Sequence, residues 1–138
     1  MMGLPGAGKT TLTKMLAPKL DAVVFNADEI RANINRDLSF SLEDRIEQAR
    51  RMGWLCQQVA EAGYIAIADF VCPTPETRQA FGEGFVVWVD RLKESRFGNT
   101  NRLFSPPERY DVRIGADDSL ESAVDRVLAA YGALPELP

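Results

Sequence analysis

The stretch MMGLPGAGKT, residues 1–10, contains an unbroken G-x-x-x-x-G-K-[ST] pattern from Gly3 to Thr10. Each residue type in it has a physical task. Glycines let backbone N–H groups turn inward around a phosphate with no side chain in the way. A helix beginning at the loop adds its own unpaired N–H groups and the positive end of its dipole. Lys9 would neutralise charge on the β- and γ-phosphates of ATP, and the Thr10 hydroxyl would help hold Mg²⁺. The candidate ATP-binding residues are therefore Gly3, Leu4, Pro5, Gly6, Ala7, Gly8, Lys9, Thr10 and Thr11. Among them Lys9 is also a candidate catalytic group and Thr10 the candidate metal ligand. A chance glycine-rich turn is the competing reading, but the match is complete and heads an apolar-periodic helix. Nucleotide binding follows, with γ-phosphate transfer as its leading use.

Outward from the loop, helical and strand patterns alternate to the end of the chain, which predicts an α/β fold. TTLTKML (10–16) puts Leu12, Met15 and Leu16 on one helical face, and Pro18 is expected to end or bend that helix. AVVFN (22–26) reads as a strand buried on both sides. Over residues 41–63, Ser41 and Asp44 resemble a capping box and Gly63 suits the far end of a long helix. Ile46, Ala49, Met52, Cys56 and Val59 recur there at helical spacing, which places Cys56 in the core. YIAIADF (64–70) and GFVVWVD (84–90) read as buried strands, with a short helix in PTPETRQAF (73–81) between them. YDVRIG (110–115) reads as the last strand. A final helix follows, striped by Leu120, Ala123, Val124, Val127, Leu128 and Tyr131, opened by aspartates and closed by Gly132.

A length of 138 residues suits one domain, residues 1–138, and 46% hydrophobic with 26% charged residues marks an ordinary globular chain. No apolar run approaches the roughly 18–20 residues that span a bilayer, so no membrane partner is expected. No basic start followed by an apolar segment suggests a secretory signal, which leaves a cytoplasmic protein as the default. The net charge of −4 argues against a nucleic-acid partner, which normally needs a basic face. Histidine is absent, which removes Ser-His-Asp and Cys-His mechanisms and histidine-ligated zinc. Cys56 and Cys72 fit no metal-ligand spacing. Acid–base work falls to Asp, Glu, Lys, Tyr or water.

Two polar stretches remain. Residues 91–109, RLKESRFGNTNRLFSPPER, carry Arg91, Lys93, Arg96, Arg102 and Arg109 among turn formers. They read either as a lid-like loop over a site or as a solvated connection. The other stretch, NADEIRANINRDLSFSLEDRIEQARRMG (26–53), begins at the carboxyl end of a strand, where α/β sheets hold ligands. Asp28 is placed there to orient or deprotonate an attacking hydroxyl, with Arg31 on the same helical face. Arg45 starts the long helix, where an anion would also feel the helix N-terminus. One carboxylate among arginines suits an acceptor that is itself an anion. Ordinary ion pairs with Glu43, Asp44 and Glu47 are an equal alternative.

In the order and spacing of GLPGAGKTTLT, the 26–53 block and EAGYIAIADFVCP, residues 3–73 resemble the adenylylsulfate kinases. The pattern of that family runs roughly GLSGAGKTTLA, DGDNxRxxLNxDLGFSxxDRxENxRRxG and DAGxxxxxxFISP. The resemblance covers about half the chain, and its middle block is far more specific than a phosphate loop. It implies a P-loop NTPase-like three-layer α/β/α fold with a parallel sheet in the kinase order 2-3-1-4-5. It implies transfer of the γ-phosphate of MgATP to the 3′-hydroxyl of adenosine 5′-phosphosulfate, a small-molecule nucleotide partner, and a homodimer. Carried over by position, it puts Asp28 near that hydroxyl, Arg31 on the acceptor and Phe40 against its adenine. It also assigns Arg45, Gln48, Val71 and Cys72 to the acceptor site.

The departures are specific. Asn26 stands where the family has the first aspartate of Asp-Gly-Asp, and Gln48 where it has asparagine. Cys72 replaces a serine, as a reactive thiol or as a small pocket residue. Asp69 adds a carboxylate that would either assist Mg²⁺ through water or cap the next turn. Residues 91–109 lack the lysine-rich lid segments of the family, which leaves room for another small-molecule or polynucleotide hydroxyl as acceptor. Two residues precede Gly3 where a central strand of about five is expected, so the first strand reads as truncated. That truncation would strip both neighbouring strands of partners and open the core, favouring a nucleotide-binding relative without catalysis.

Overall fold

Strand β1 (Ala22–Asn26) runs parallel to β2 (Ile65–Asp69), in register from Ala22 opposite Ile65 to Asn26 opposite Asp69. A second parallel pair joins β3 (Val87–Asp90) to β4 (Val112–Gly115). The structure, a computed structural model, describes residues 1–134. Residues 1–3 connect the two pairs. Met2 bridges Trp88, donating its N–H to the Val87 carbonyl at 2.9 Å and accepting from the Val89 N–H at 2.8 Å. On the other side the Phe70 N–H donates to the Met1 carbonyl at 3.2 Å, and the Gly3 N–H to the Val71 carbonyl at 3.3 Å. With this segment counted first, the order is 2-3-1-4-5. The expected open core is not seen, because Met2 is buried and Met1 packs against the apolar cluster on one face of the sheet.

That cluster lies under α1 (Lys9–Leu20) and α6 (Leu120–Gly132), where Leu12, Leu16, Val124 and Val127 meet Val87, Val89, Val112 and Ile114. Burying each of these side chains contributes about 2 kcal/mol. The opposite face is covered by α2 (Ala27–Asn33), α3 (Leu42–Glu61) and α4 (Pro75–Phe81). Ile30, Met52 and Ala68 form its centre, with Phe25, Leu55, Cys56, Phe70 and Phe81 packed around them. Burial pushes the Cys56 thiol up to about 11, as suits a core residue.

Several local expectations are corrected. Pro18 does not end α1, which runs on to Leu20 and closes at Asp21 (φ 50°), whose N–H donates to the Ala17 carbonyl. So near the helix end, the missing proline N–H forfeits a single bond. Strand β1 is not buried on both sides: it is the edge strand, and Val23 and Val24 are exposed. Ser41 caps α3 by accepting from the Asp44 N–H at 3.2 Å, but Asp44 completes no box. Its carboxylate accepts instead from the Ser39 N–H and hydroxyl. The third strand starts at Val87 rather than at residue 84, because the Val86 N–H turns to the Asp111 carboxylate at 2.7 Å. Ser119, not an aspartate, caps α6. Within residues 91–109 lies a short helix, α5 (Gly98–Leu103).

Candidate active site

The phosphate loop leaves the sheet at its centre and passes hard against β3. A Cβ on Gly3 would lie 2.4 Å from the Val89 carbonyl oxygen, so only glycine allows this approach. Gly8 takes φ 98° and caps α1 with no side-chain hydrogen bond, which leaves the first helical N–H groups pointing to the loop. Leu4 and Ala7 are buried behind it, whereas Pro5, Gly6, Lys9 and Thr10 line a cavity of about 1150 Å³. The Lys9 ammonium donates to the Leu4 carbonyl at 3.0 Å. Burial pulls its pKa down, and the charges of Asp69 and Asp28 oppose that shift.

Across the cavity floor the ends of β1 and β2 supply polar groups. Asp69 is buried, and its Oδ2 accepts from the Thr10 hydroxyl at 2.7 Å and from Asn26 Nδ2 at 3.1 Å. Asn26 also caps α2, its Oδ1 accepting from the Glu29 N–H at 3.1 Å. Asp28, in the first turn of α2, is exposed and lines the cavity.

The arginines divide into two groups. Arg50 and Arg51 take the carboxylates: Glu47 accepts from both, and Arg51 also grips Asp37 through two bonds of 2.9 Å. Among the described residues, Arg31 and Arg45 form no ion pair. Arg31 donates to the Ser39 carbonyl at 2.7 Å and lays its guanidinium over the Phe40 ring, 4.3 Å from the centroid. Arg45, only 9% exposed, donates to the Phe40 carbonyl and to the Thr100 hydroxyl, both at 2.9 Å. Burial lowers the pKa of both, and for Arg45 the charge of Arg31 lowers it further. Two partly buried cations without carboxylate partners thus flank an exposed aromatic, chemistry that suits an anion joined to a flat ring.

Of the remaining candidates, Val71 lines the cavity, while Thr11, Arg31, Gln48 and Cys72 do not. Gln48 is 2% exposed and braces the scaffold, accepting from Asn35 Nδ2 at 2.6 Å and donating to the Ala27 carbonyl. Cys72 is a buried turn residue at φ 51°, and burial raises its thiol, which disfavours the reactive thiolate. Residues 92–102 supply another wall of the cavity, including Leu92, Glu94, Arg96, Phe97 and Thr100. Phe97 is 46% exposed and was not among the expected site residues. No periodicity marks it in its stretch, and its placement depends on a side-chain knot in which Ser95 and Asn101 exchange hydrogen bonds of 2.8 Å.

Residues 1–89 match the family described as adenylylsulphate kinase. This chain belongs to that family. It is 37% identical to the adenylyl-sulfate kinase of Gloeothece citriformis, with 93% of this chain and 89% of that protein covered. It is 38% identical to the adenylyl-sulfate kinase of Paraburkholderia xenovorans, over 93% of this chain and 80% of that one. Against the bifunctional enzyme CysN/CysC of Xylella fastidiosa, 27% identical, it spans 26% of the relative's length. In fold it is similar to the Mycobacterium tuberculosis APS kinase CysC, solved in complex with AMPPNP and APS. The TM-score there is 0.84 at 22% identity, covering 96% of this chain and 95% of that one. The family match ends at Val89, so residues 91–109 of this adenylylsulfate kinase family member lie beyond the matched residues.

Proposed function

We propose that this protein phosphorylates the 3′-hydroxyl of adenosine 5′-phosphosulfate at the expense of ATP. One observation carries the reading: a single cavity joins the phosphate loop to Asp28, Phe40 and the unpaired Arg45. The loop N–H groups, the start of α1 and Lys9 hold the donor phosphates. The hard oxygens of Thr10 and Asp69 suit Mg²⁺, which when bound neutralises charge on the transferring group. Phe40 offers its face to the adenine, and Arg45, with Arg31 behind the ring, takes the anionic end. Asp28 accepts the proton of the 3′-hydroxyl as its oxygen bonds to the γ-phosphorus. The bond from that phosphorus to the β-phosphate oxygen breaks, and ADP leaves. Positioning and charge neutralisation do most of this work.

Coupled detection of ADP release tests the reading. Turnover is expected with adenosine 5′-phosphosulfate and ATP, and none with ATP alone. A second reading, a different small-molecule hydroxyl as acceptor, is favoured by the lid lying beyond the family match. Turnover with another acceptor, and none with adenosine 5′-phosphosulfate, would select it.

A further inference from the structure

We propose that Arg78 is a positioning residue for the acceptor, tying residues 98–105 to the turn after β2 and so setting the distance between two walls of the cavity. The inference rests on the acceptor site proposed above, and Arg78 itself does not line the cavity. Its Nε donates to the Cys72 carbonyl at 3.2 Å, and its Nη2 donates to the Ser105 carbonyl. The guanidinium also lies 5.9 Å from the centroid of the Phe104 ring. Among the described residues no carboxylate is within ion-pair distance of it. A planar fork whose charge is not taken up by an acid suits two carbonyls that belong to different segments.

Both segments need such a tie. Cys72 takes φ 51°, a conformation that a residue with a side chain holds only when its surroundings fix it. Val71, just before it, lines the cavity and accepts from the Gly3 N–H, so this turn joins the acceptor wall to the phosphate loop. On the other side, Ser105 is held through its backbone. Its N–H donates to the Pro73 carbonyl at 2.8 Å, whereas its buried hydroxyl has no partner among the described residues. Pro106 and Pro107 follow and bring no N–H groups. Upstream in the same segment the Thr100 hydroxyl accepts from Arg45, the cation of the acceptor site. The platform under Arg78 is firm, because Thr74 and Thr77 bond reciprocally at the start of α4 and Thr77 is fully buried. Loss of Arg78 therefore frees Thr100 to move against Val71 without disturbing the loop that takes ATP.

Steady-state kinetics with adenosine 5′-phosphosulfate and ATP, paired with amide hydrogen exchange, test this. Arg78→Ala should raise the KM for the acceptor about tenfold, the effect of losing a charged hydrogen bond, and leave the KM for ATP within about twofold of native. The Ser105 amide should exchange about tenfold faster, while the Val89 amide, bonded to Met2 in the central ladder, keeps its native rate. Arg78→Lys keeps the charge but reaches a single carbonyl, so it should fall between native and Arg78→Ala on both readouts. An unchanged acceptor KM or Ser105 exchange rate in folded Arg78→Ala, or equal rises in both KM values, would overturn the inference. Where circular dichroism shows Arg78→Ala to be unfolded, native KM and native exchange in Arg78→Lys would overturn it. Absence of turnover by the native protein would defeat the proposed acceptor instead, and the Ser105 exchange rate would then decide on Arg78 alone, a native rate counting against it.

Discussion

The floor of the cavity and its roof are held by different kinds of force. Backbone hydrogen bonds to both neighbouring strands seat residues 1–3, and Leu4, Ala7 and Lys9 are buried around the loop. The roof, residues 91–109, hangs on a few bonds, side-chain ones among them. Thr100 meets Arg45, Arg78 bonds the Ser105 carbonyl, and the Ser105 N–H donates to the Pro73 carbonyl at 2.8 Å. Leu92, Phe97 and most of its charged residues are exposed. A floor of ladder bonds and buried residues opens only with the core, whereas a roof with few buried apolar contacts opens locally. Donor chemistry, shared by many kinases, sits on the rigid part. On the proposed function, acceptor choice would be divided between the wall of Arg45 and Phe40 and the looser roof. Sequence change in the roof can therefore alter acceptor fit without disturbing the phosphate loop.

The largest expected effect breaks the floor without unfolding it. Asp28→Asn keeps the shape of an exposed side chain and removes the proton acceptor. It should lower kcat by about 10²–10⁴-fold, with ADP binding nearly unchanged. A variant with native kcat would show that Asp28 is not in the chemistry.

An intermediate effect sharpens the contrast of wall and roof. Phe40→Ala and Phe97→Ala each remove an exposed ring that lines the cavity. Stacking on a base is worth about 1–3 kcal/mol per ring, so an acceptor held by either should show a KM raised about fivefold or more. Phe40→Ala should have the larger effect, since Arg31 and the Arg45–carbonyl bond hold that ring in place. The KM for ATP should move little in both. No change in Phe97→Ala would mean that the roof does not touch the acceptor.

How much of this was legible in the sequence depends on what fixed each part. The phosphate loop, β1, β2, α4 and α6 follow from local chemistry: glycine spacing, short apolar runs, a proline in the first turn of α4 and the apolar stripe of α6. The 2-3-1-4-5 order came from resemblance rather than from any single stretch. The edge position of β1 followed only from that order and not from its own residues, because a parallel strand reads as an apolar run whether or not it has two neighbours. Helix α5 was not legible, since GNTNRL has weak helix formers and no apolar period. The sorting of arginines follows helical spacing that the sequence reading did not use: Glu47 lies three and four residues from Arg50 and Arg51, whereas no acid stands three or four residues from Arg45. Asp69 was noticed, but its bond to Thr10 links residues far apart in sequence.

The smallest effect probes the scaffold that supports the acceptor wall. Hydrogen bonds from Arg50 first, and then Arg51, hold the Glu47 carboxyl at about 2, below its ordinary 4.5. Arg51 in turn ties Asp37 and Asn35, the turn leading to Phe40, onto α3. A carboxyl whose folded pKa is depressed binds fewer protons folded than unfolded. Its contribution is complete above about pH 4.5 and is lost as the pH falls towards 2. Glu47→Gln should therefore lower Tm at pH 7 by only about 1–3 °C, because the pair is half open to solvent. Native and variant Tm values should converge as the pH drops below 4.5, which thermal melts across that range would record. Convergence would place this network in the scaffold of the wall, and a gap that stays constant would mean that Glu47 acts by packing rather than by charge.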